Sequence, residues 1–354
     1  MRPPAPPAPP RGGLQRLFRT SLVLIPIGVA GNIALSLLTT DRALLAAIGE
    51  FPRGYLLLAV ALGLTPWLTN TLRMVLWTDF LGRRLSLRDS FRVTLAGDVG
   101  AAISPTLVGG AFFKWGMLVE RGLSPGAAAS LTTLGNIEDA VFFSVAVPLS
   151  LYLTHAWELP ALQSLGLRFQ TNTLPAIAVT GGIAVLSWAA VRLVLRGHLG
   201  ASPRQRGLKL TARLRRRART TWRDARAVFQ LIWARGKTRF ALALSLTAIH
   251  WIARYSVVSA LIAFLGVPVR PVLFWALQWV VFTLTALLPT PGGTGGAEAA
   301  FFLIYSAFVP SHVLGLATAG WRFLTFYLQI GLGALLFAAL NTRVRKGVQT
   351  PINT

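Results

Sequence analysis

Eight ionisable side chains sit inside apolar stretches of this 354-residue sequence: Asp98, Lys114, Glu138, Asp139, His250, Arg254, Glu298 and Arg322. A charged group near the centre of a bilayer costs at least ~2.5 kcal/mol on insertion scales, so such residues are as a rule paired or functional. Lys114, Arg254 and Arg322 offer positive charge to an anionic head group. Arginine suits phosphate through its planar fork, and lysine acts as a point charge. Glu298, Glu138 and Asp139 can balance that charge, take a co-transported proton or face a substrate amine. His250 and Arg254 are four residues apart and share one face of a helix. These seven form the candidate substrate-binding set, and Asp98 flanks the first of two chain reversals near Lys114. A second reading stays open, in which the charges form internal pairs, such as Glu298 with Arg322, that pin helices together.

Two Pro/Gly breaks lie among these charges. The first reads I103-S-P-T-L-V-G-G-A-F-F-K114 and the second L288-P-T-P-G-G-T-G-G-A-E298. Each is followed by a long apolar run, in which L131-T-T-L-G135 echoes L316-A-T-A-G320 at a separation of 185 residues. Duplicated units with broken helices are how many membrane transporters place polar groups in lipid. Pro105, Gly109 and Gly110 in the first break, and Pro289, Pro291, Gly292, Gly293, Gly295 and Gly296 in the second, are the candidate hairpin and gating residues. A helix that starts after such a break aims unpaired N–H groups at the gap, a setting for an anion. The same glycines would also let helices pack closely.

The positioning elements are legible in composition and charge. The chain is 54% hydrophobic and only 13% charged, against about 25% charged in globular proteins, and its mean hydropathy is +0.59. The fold class expected is an all-α polytopic membrane protein. Apolar runs cover Ser21–Leu38, Tyr55–Trp77, Phe91–Leu118, Ala127–Leu153, Leu174–Leu195, Phe240–Leu265, Val272–Phe308 and Val313–Leu340. The net charge of +24 is concentrated in loops, and Arg196–Arg239 alone holds fourteen Lys/Arg and one acid, Asp224. In a membrane chain such a block marks the cytoplasmic side and the anionic leaflet, not nucleic acid.

Single crossings by all eight runs would put that block outside. The conflict disappears if Phe91–Leu118 and Val272–Phe308 each return to the face they enter from. The expectation is six full spans and two re-entrant helical hairpins in an inverted repeat, with both termini cytoplasmic; eight plain spans are the alternative. The segments are then a Pro-rich disordered tail at 1–19, a first membrane half at 20–195 with hairpin 91–118, a basic amphipathic linker helix at 196–239, a second half at 240–341 with hairpin 272–308, and a tail at 342–354. In the linker Leu210, Leu214, Ala218, Trp222, Ala225, Val228, Phe229 and Ile232 recur every three to four residues, the pattern of a helix lying on a membrane surface.

Other chemistries find little support. Cysteine is absent, and His155, His198, His250 and His312 are scattered without a metal-binding or nucleophile motif, so no metal and no cofactor are expected. No phosphate-binding loop of ATPases occurs. The chain is expected not to be an enzyme.

The motifs together resemble the flippase-like integral membrane domain of lysylphosphatidylglycerol synthases and its stand-alone relatives. The resemblance runs through L72-R-M-V-L-W, L81-G-R-R-L-S, S104-P-T-L-V-G-G and R121-G-L-S in the first half, and P289-T-P-G-G-T-G-G-A-E298 followed by W321-R-F-L in the second. Two positions depart from the family pattern: Ala111 stands where an acid usually follows the first Gly pair, and Asn136 where an Arg usually precedes the acid of the next span. The resemblance implies movement of lipid between leaflets of the cytoplasmic membrane. A soluble aminoacyl-transfer domain normally follows this domain, and the chain stops fourteen residues after Leu340. It is therefore expected not to make an aminoacylated lipid itself. The reading is a lipid transporter for an anionic or glycosylated lipid, touching the anionic leaflet through Arg196–Arg239. The alternatives are a non-catalytic membrane partner of a lipid or envelope synthase, or an intramembrane lipid-modifying enzyme.

Overall fold

Local sequence fixes where the helices begin. Ser86 Oγ accepts from the Asp89 N–H at 3.1 Å and donates to the Asp89 carboxylate at 2.8 Å, so a helix starts at Leu87. Ser124 Oγ accepts from the Ala127 N–H at 3.2 Å, and Pro125 takes the first helical position, where its missing N–H costs nothing. The computed structural model describes residues 52–103, 108–159, 226–286 and 295–333, with 220, 223, 224, 293, 335, 336 and 339 besides. The runs Ser21–Leu38 and Leu174–Leu195, both tails, the linker up to about its last third, and Pro105, Pro289, Pro291 and Gly292 lie outside these residues.

Every regular element among the described residues is a helix. In chain order they are α1 (Arg53–Phe80), α2 (Leu87–Ile103), α3 (Val108–Glu120), α4 (Pro125–Thr154), a short 3₁₀ turn (Ala156–Glu158), α5 (Lys237–Phe264), α6 (Pro271–Ala286), α7 (Gly296–Tyr305) and α8 (Ser311–Arg322). α8 passes into one π-type turn, Phe323–Tyr327, and resumes as α-helix to residue 333. Among the described residues three helices are long and apolar enough to cross a membrane: α1, α4 and α5, of 28, 30 and 28 residues. Residues 226–235 are also helical, with Val228 and Ile232 turned inward and Trp233 80% exposed. That surviving end of the linker keeps the amphipathic spacing of the sequence.

The helices on the two sides of each Pro/Gly break run antiparallel. A Cβ on Gly97 would lie 3.2 Å from Lys114 Cγ, one on Gly100 only 2.5 Å from the Phe113 ring, and one on Gly110 only 2.6 Å from the Gly97 carbonyl. Contacts that pair rising positions on α2 with falling positions on α3 define an antiparallel hairpin at backbone range. α6 and α7 form a second one. The Tyr305 hydroxyl donates to the Phe274 carbonyl at 2.8 Å at one end, and a Cβ on Gly293 would meet Thr285 at 2.5 Å at the other. Gly293 and Gly295 turn the chain there with φ of 70° and 83°, values closed to most side chains. The described arms hold 17, 13, 16 and 10 residues. The first hairpin begins four residues before the apolar run at Phe91, because the Ser86 cap sets the start rather than hydrophobicity.

The chain divides into two compact units. The first contains the described residues 52–75, 85–117 and 245–339, and the second 76–84 and 118–244. The first hairpin thus packs with α5–α8 from the far end of the chain. Within the first unit α1, α5 and α8 meet at small residues: a Cβ on Gly63 would touch the Leu324 carbonyl at 3.5 Å and Val257 at 4.0 Å, and one on Gly320 would press on Leu261 at 3.2 Å. Gly110→Ala should lower thermal stability by about 1–3 kcal/mol through overpacking of the first hairpin. Gly116→Ala, with nothing within 4 Å, should leave it unchanged. Melting of the two variants in detergent checks the pair.

Candidate functional site

The α1 face that carries Gly63, Trp67, Asn70 and Arg73, at spacings of three to four, organises the polar residues of the first unit. Trp67 Nε1 donates to Asp98 Oδ2 at 2.9 Å, which fixes a carboxylate of α2 against α1. Lys114 of α3 lays its aliphatic stem across Gly97, the neighbour of Asp98. Lys114 and Arg254 both act electrostatically on Asp98. On α5, Arg254 points one N–H at Gln329 Oε1 at 3.4 Å, and its guanidinium lies 5.4 Å from the centre of the Phe282 ring. Gln329 is anchored in turn, donating to the Gly63 carbonyl at 2.8 Å. Gly63 and Trp67 are one helical turn apart, so the supports of Arg254 and Asp98 are adjacent on α1.

His250 lies one turn before Arg254. Its Nδ1 is 3.4 Å from Thr69 Oγ1, and Arg254, Arg73 and Lys114 all bear on it electrostatically. Arg73 is buried and donates to Asn70 Oδ1 at 3.3 Å. Asp98, Lys114 and Arg254 are half-buried. Five helices, α1, α2, α3, α5 and α8, thus bring Arg73, Lys114, His250, Arg254, Asp98 and Gln329 into one neighbourhood of one unit. Its chemistry suits an oxyanion: several forked or point cations, a hydrogen-bonding amide, and one acid.

Glu298 and Arg322 make a different arrangement. Arg322 Nε is 3.0 Å from Glu298 Oε1, with both side chains largely enclosed, at 6% and 11% exposure. The other Glu298 oxygen accepts the Gly295 N–H at 2.7 Å and so caps α7 at the tight turn of the second hairpin. Arg322 is covered by the Phe326 ring at 4.1 Å. Beside the pair, Phe301 stacks on Trp321 at 4.8 Å, and both rings are buried. Arg322 also bears electrostatically on Arg254, which links this pair to the cluster. The internal-pair reading of Glu298 and Arg322 therefore describes their geometry. A single carboxylate holds both a hairpin turn and the arginine that opens the π turn, and π turns in helices often mark functional sites.

Glu138 and Asp139 belong to the second unit. Glu138 is fully buried, and its Oε1 accepts from Trp77 Nε1 at 2.7 Å. In the same unit Arg239 pairs with Asp79 at 2.9 Å and lies over the Phe80 ring at 5.3 Å. Of the candidate set, the first unit thus holds Lys114, His250, Arg254, Glu298 and Arg322. Of the candidate glycines, Gly110 closes the first hairpin, Gly293 and Gly295 turn the second, Gly296 opens α7, and Gly109 lies near the start of α3. Trp67, Gln329 and Arg73 escaped the sequence reading. Trp67 and Gln329 carry no charge, and Arg73 sits a few residues from the basic loop Arg83–Arg92, where it reads as part of the positive flank.

Paired charges enclosed among apolar helices of spanning length define a polytopic helical membrane protein. The chain belongs to the lysylphosphatidylglycerol synthase TM region family, which matches residues 21–333. It is also similar to a UPF0104 membrane protein of Archaeoglobus fulgidus, 27% identical over 290 residues that cover 79% of this chain and 84% of that one. Membership agrees with the resemblance read from the motifs and supports a role connected with membrane lipid.

Removing one member of an enclosed ion pair strands the other. Arg322→Met should therefore destabilise the protein by about 3 kcal/mol, while Glu298→Gln with Arg322→Met should recover most of that loss. Detergent melts of the single and double variants measure both values.

Proposed function

We propose that this protein is a non-enzymatic lipid carrier of the cell membrane that moves an anionic or glycosylated lipid between leaflets. The observation that carries the reading is the convergence of Lys114 of α3 and Arg254 of α5 on Asp98 of α2 within one unit, with both cations also bearing on His250. In this reading Lys114 and Arg254 receive the phosphate of the head group, Gln329 keeps the Arg254 fork oriented, and the acyl chains stay in the surrounding bilayer. The half-buried state of these groups supports access by a polar head group. The two short-armed hairpins act as re-entrant gates in an inverted repeat, with both termini cytoplasmic. Glu298 and Arg322 hold the second gate in shape, and Glu138 braces its own unit through Trp77.

Membership in a family named for a lipid synthase supports the lipid class, and the buried charges support passage of a charged group. Transport then runs down a gradient or is coupled to an ion, without ATP hydrolysis by this chain. The test is reconstitution into phosphatidylcholine vesicles with fluorescent phosphatidylglycerol and a membrane-impermeant quencher. Lys114→Ala and Arg254→Ala should each slow quencher-detected movement by about tenfold or more, the loss of one charge-assisted phosphate contact. Movement at the wild-type rate by the double variant would refute this site.

A further inference from the structure

We propose that Asp98 is a resident competitor for the head group: its carboxylate holds Lys114 and Arg254 while the site is empty, yields them to an arriving phosphate, and then drives that phosphate off again. The inference rests on the carrier reading and deepens it by assigning a role to the acid at the centre of the cationic cluster.

Each charged group is held separately. Asp98 is positioned from the side by Trp67 Nε1, and the Trp67 ring is itself wedged edge-on against Phe91 at 6.0 Å and near Gly333. Lys114 is positioned by its stem on Gly97, and Arg254 by Gln329 and the Phe282 ring. Each of the three therefore has a support that is not one of the other two. The cations can exchange one oxyanion partner for another without losing their places. Glu298 contrasts with this, since its two oxygens are committed to Gly295 and Arg322, and its departure would undo a hairpin turn.

A carboxylate and a phosphodiester are both monoanions that accept from the same donors. A phosphate bound by Lys114 and Arg254 thus sits in the field of Asp98, as both cations do, and like charges in a poorly screened site repel. A carrier must let go of its cargo as well as hold it. Two cations alone would bind a phosphate tightly and release it slowly. With Asp98 beside them, the empty site keeps a counter-ion and the loaded site keeps a repulsive one, so both states stay within reach of each other.

Asp98→Asn tests this, because the amide oxygen can still accept from Trp67 while the charge is gone. Native mass spectrometry of the full chain in phosphatidylcholine nanodiscs containing phosphatidylglycerol reads retention of that lipid. Retention should tighten by about tenfold or more, as expected for deleting one near like charge. In vesicles, the half-saturating phosphatidylglycerol content and the maximal rate should both fall, since release becomes slow. Asp98→Glu should restore both toward wild type. A purely structural Asp98 predicts the opposite, with weaker retention and a lower melting temperature for Asp98→Asn, and that result overturns the proposal. If wild-type protein neither retains nor moves phosphatidylglycerol, the carrier reading falls and this inference with it. If wild type does both and Asp98→Asn binds no tighter, only the role of Asp98 falls.

Discussion

An ionisable side chain among apolar helices must find a partner or reach water, and that constraint orders the polar interior of this protein. The cost of leaving such a group alone exceeds what one packing contact returns. Three of the carboxylates accordingly have specific partners. Glu298 meets Arg322, Glu138 meets Trp77, and Asp98 meets Trp67 in the field of two cations. Small residues make these meetings possible. Gly97 admits the Lys114 stem, and Gly63 offers a carbonyl to Gln329 while two other helices touch its open side. A Cβ at Gly97 would press on that stem at 3.2 Å.

The charges divide into two kinds. Glu298 and Arg322 are locked: one carboxylate caps a helix, fixes a turn with two positive-φ glycines and neutralises a guanidinium that is also covered by an aromatic ring. Asp98, Lys114 and Arg254 are half-buried and separately supported. A locked pair gives rigidity next to a π turn and a broken helix, where the backbone ladder is weakest. An exchangeable set gives a place where a charged ligand can trade with resident groups. Carriage of a head group needs both, a frame that does not collapse when loaded and a surface whose bonds can be replaced.

Much of the frame was legible in the residues. The antiparallel helix pairs beside the two Pro/Gly breaks agree with a chain that turns back there, and the apolar runs announced α1, α4 and α5. The pairing of Glu298 with Arg322 was named from their opposite charges in neighbouring apolar runs. The cluster itself was only half visible. His250 and Arg254 declare a common face by their spacing, but nothing local ties Lys114 or Asp98 to them across some 150 residues. Trp67 and Gln329 act through uncharged donors, and a buried indole or amide in a membrane helix has no distinctive spacing. The grouping of the first hairpin with α5–α8 in one compact unit is a tertiary outcome that a reading by consecutive halves does not reach. Glu138 accepts from Trp77, a contact between α1 and α4 that neither charge nor spacing announces.

The central claim is that Lys114 and Arg254 form the receiving point for a phosphate head group. Its most direct test is an electron cryo-microscopy structure of the protein in nanodiscs rich in phosphatidylglycerol, at a resolution that shows lipid phosphates. The account predicts phosphate density within hydrogen-bonding distance of Lys114 Nζ and the Arg254 guanidinium, with the Asp98 carboxylate turned from both. Phosphate bound elsewhere in the protein, with Asp98 still held by Trp67 and unmoved, would contradict it.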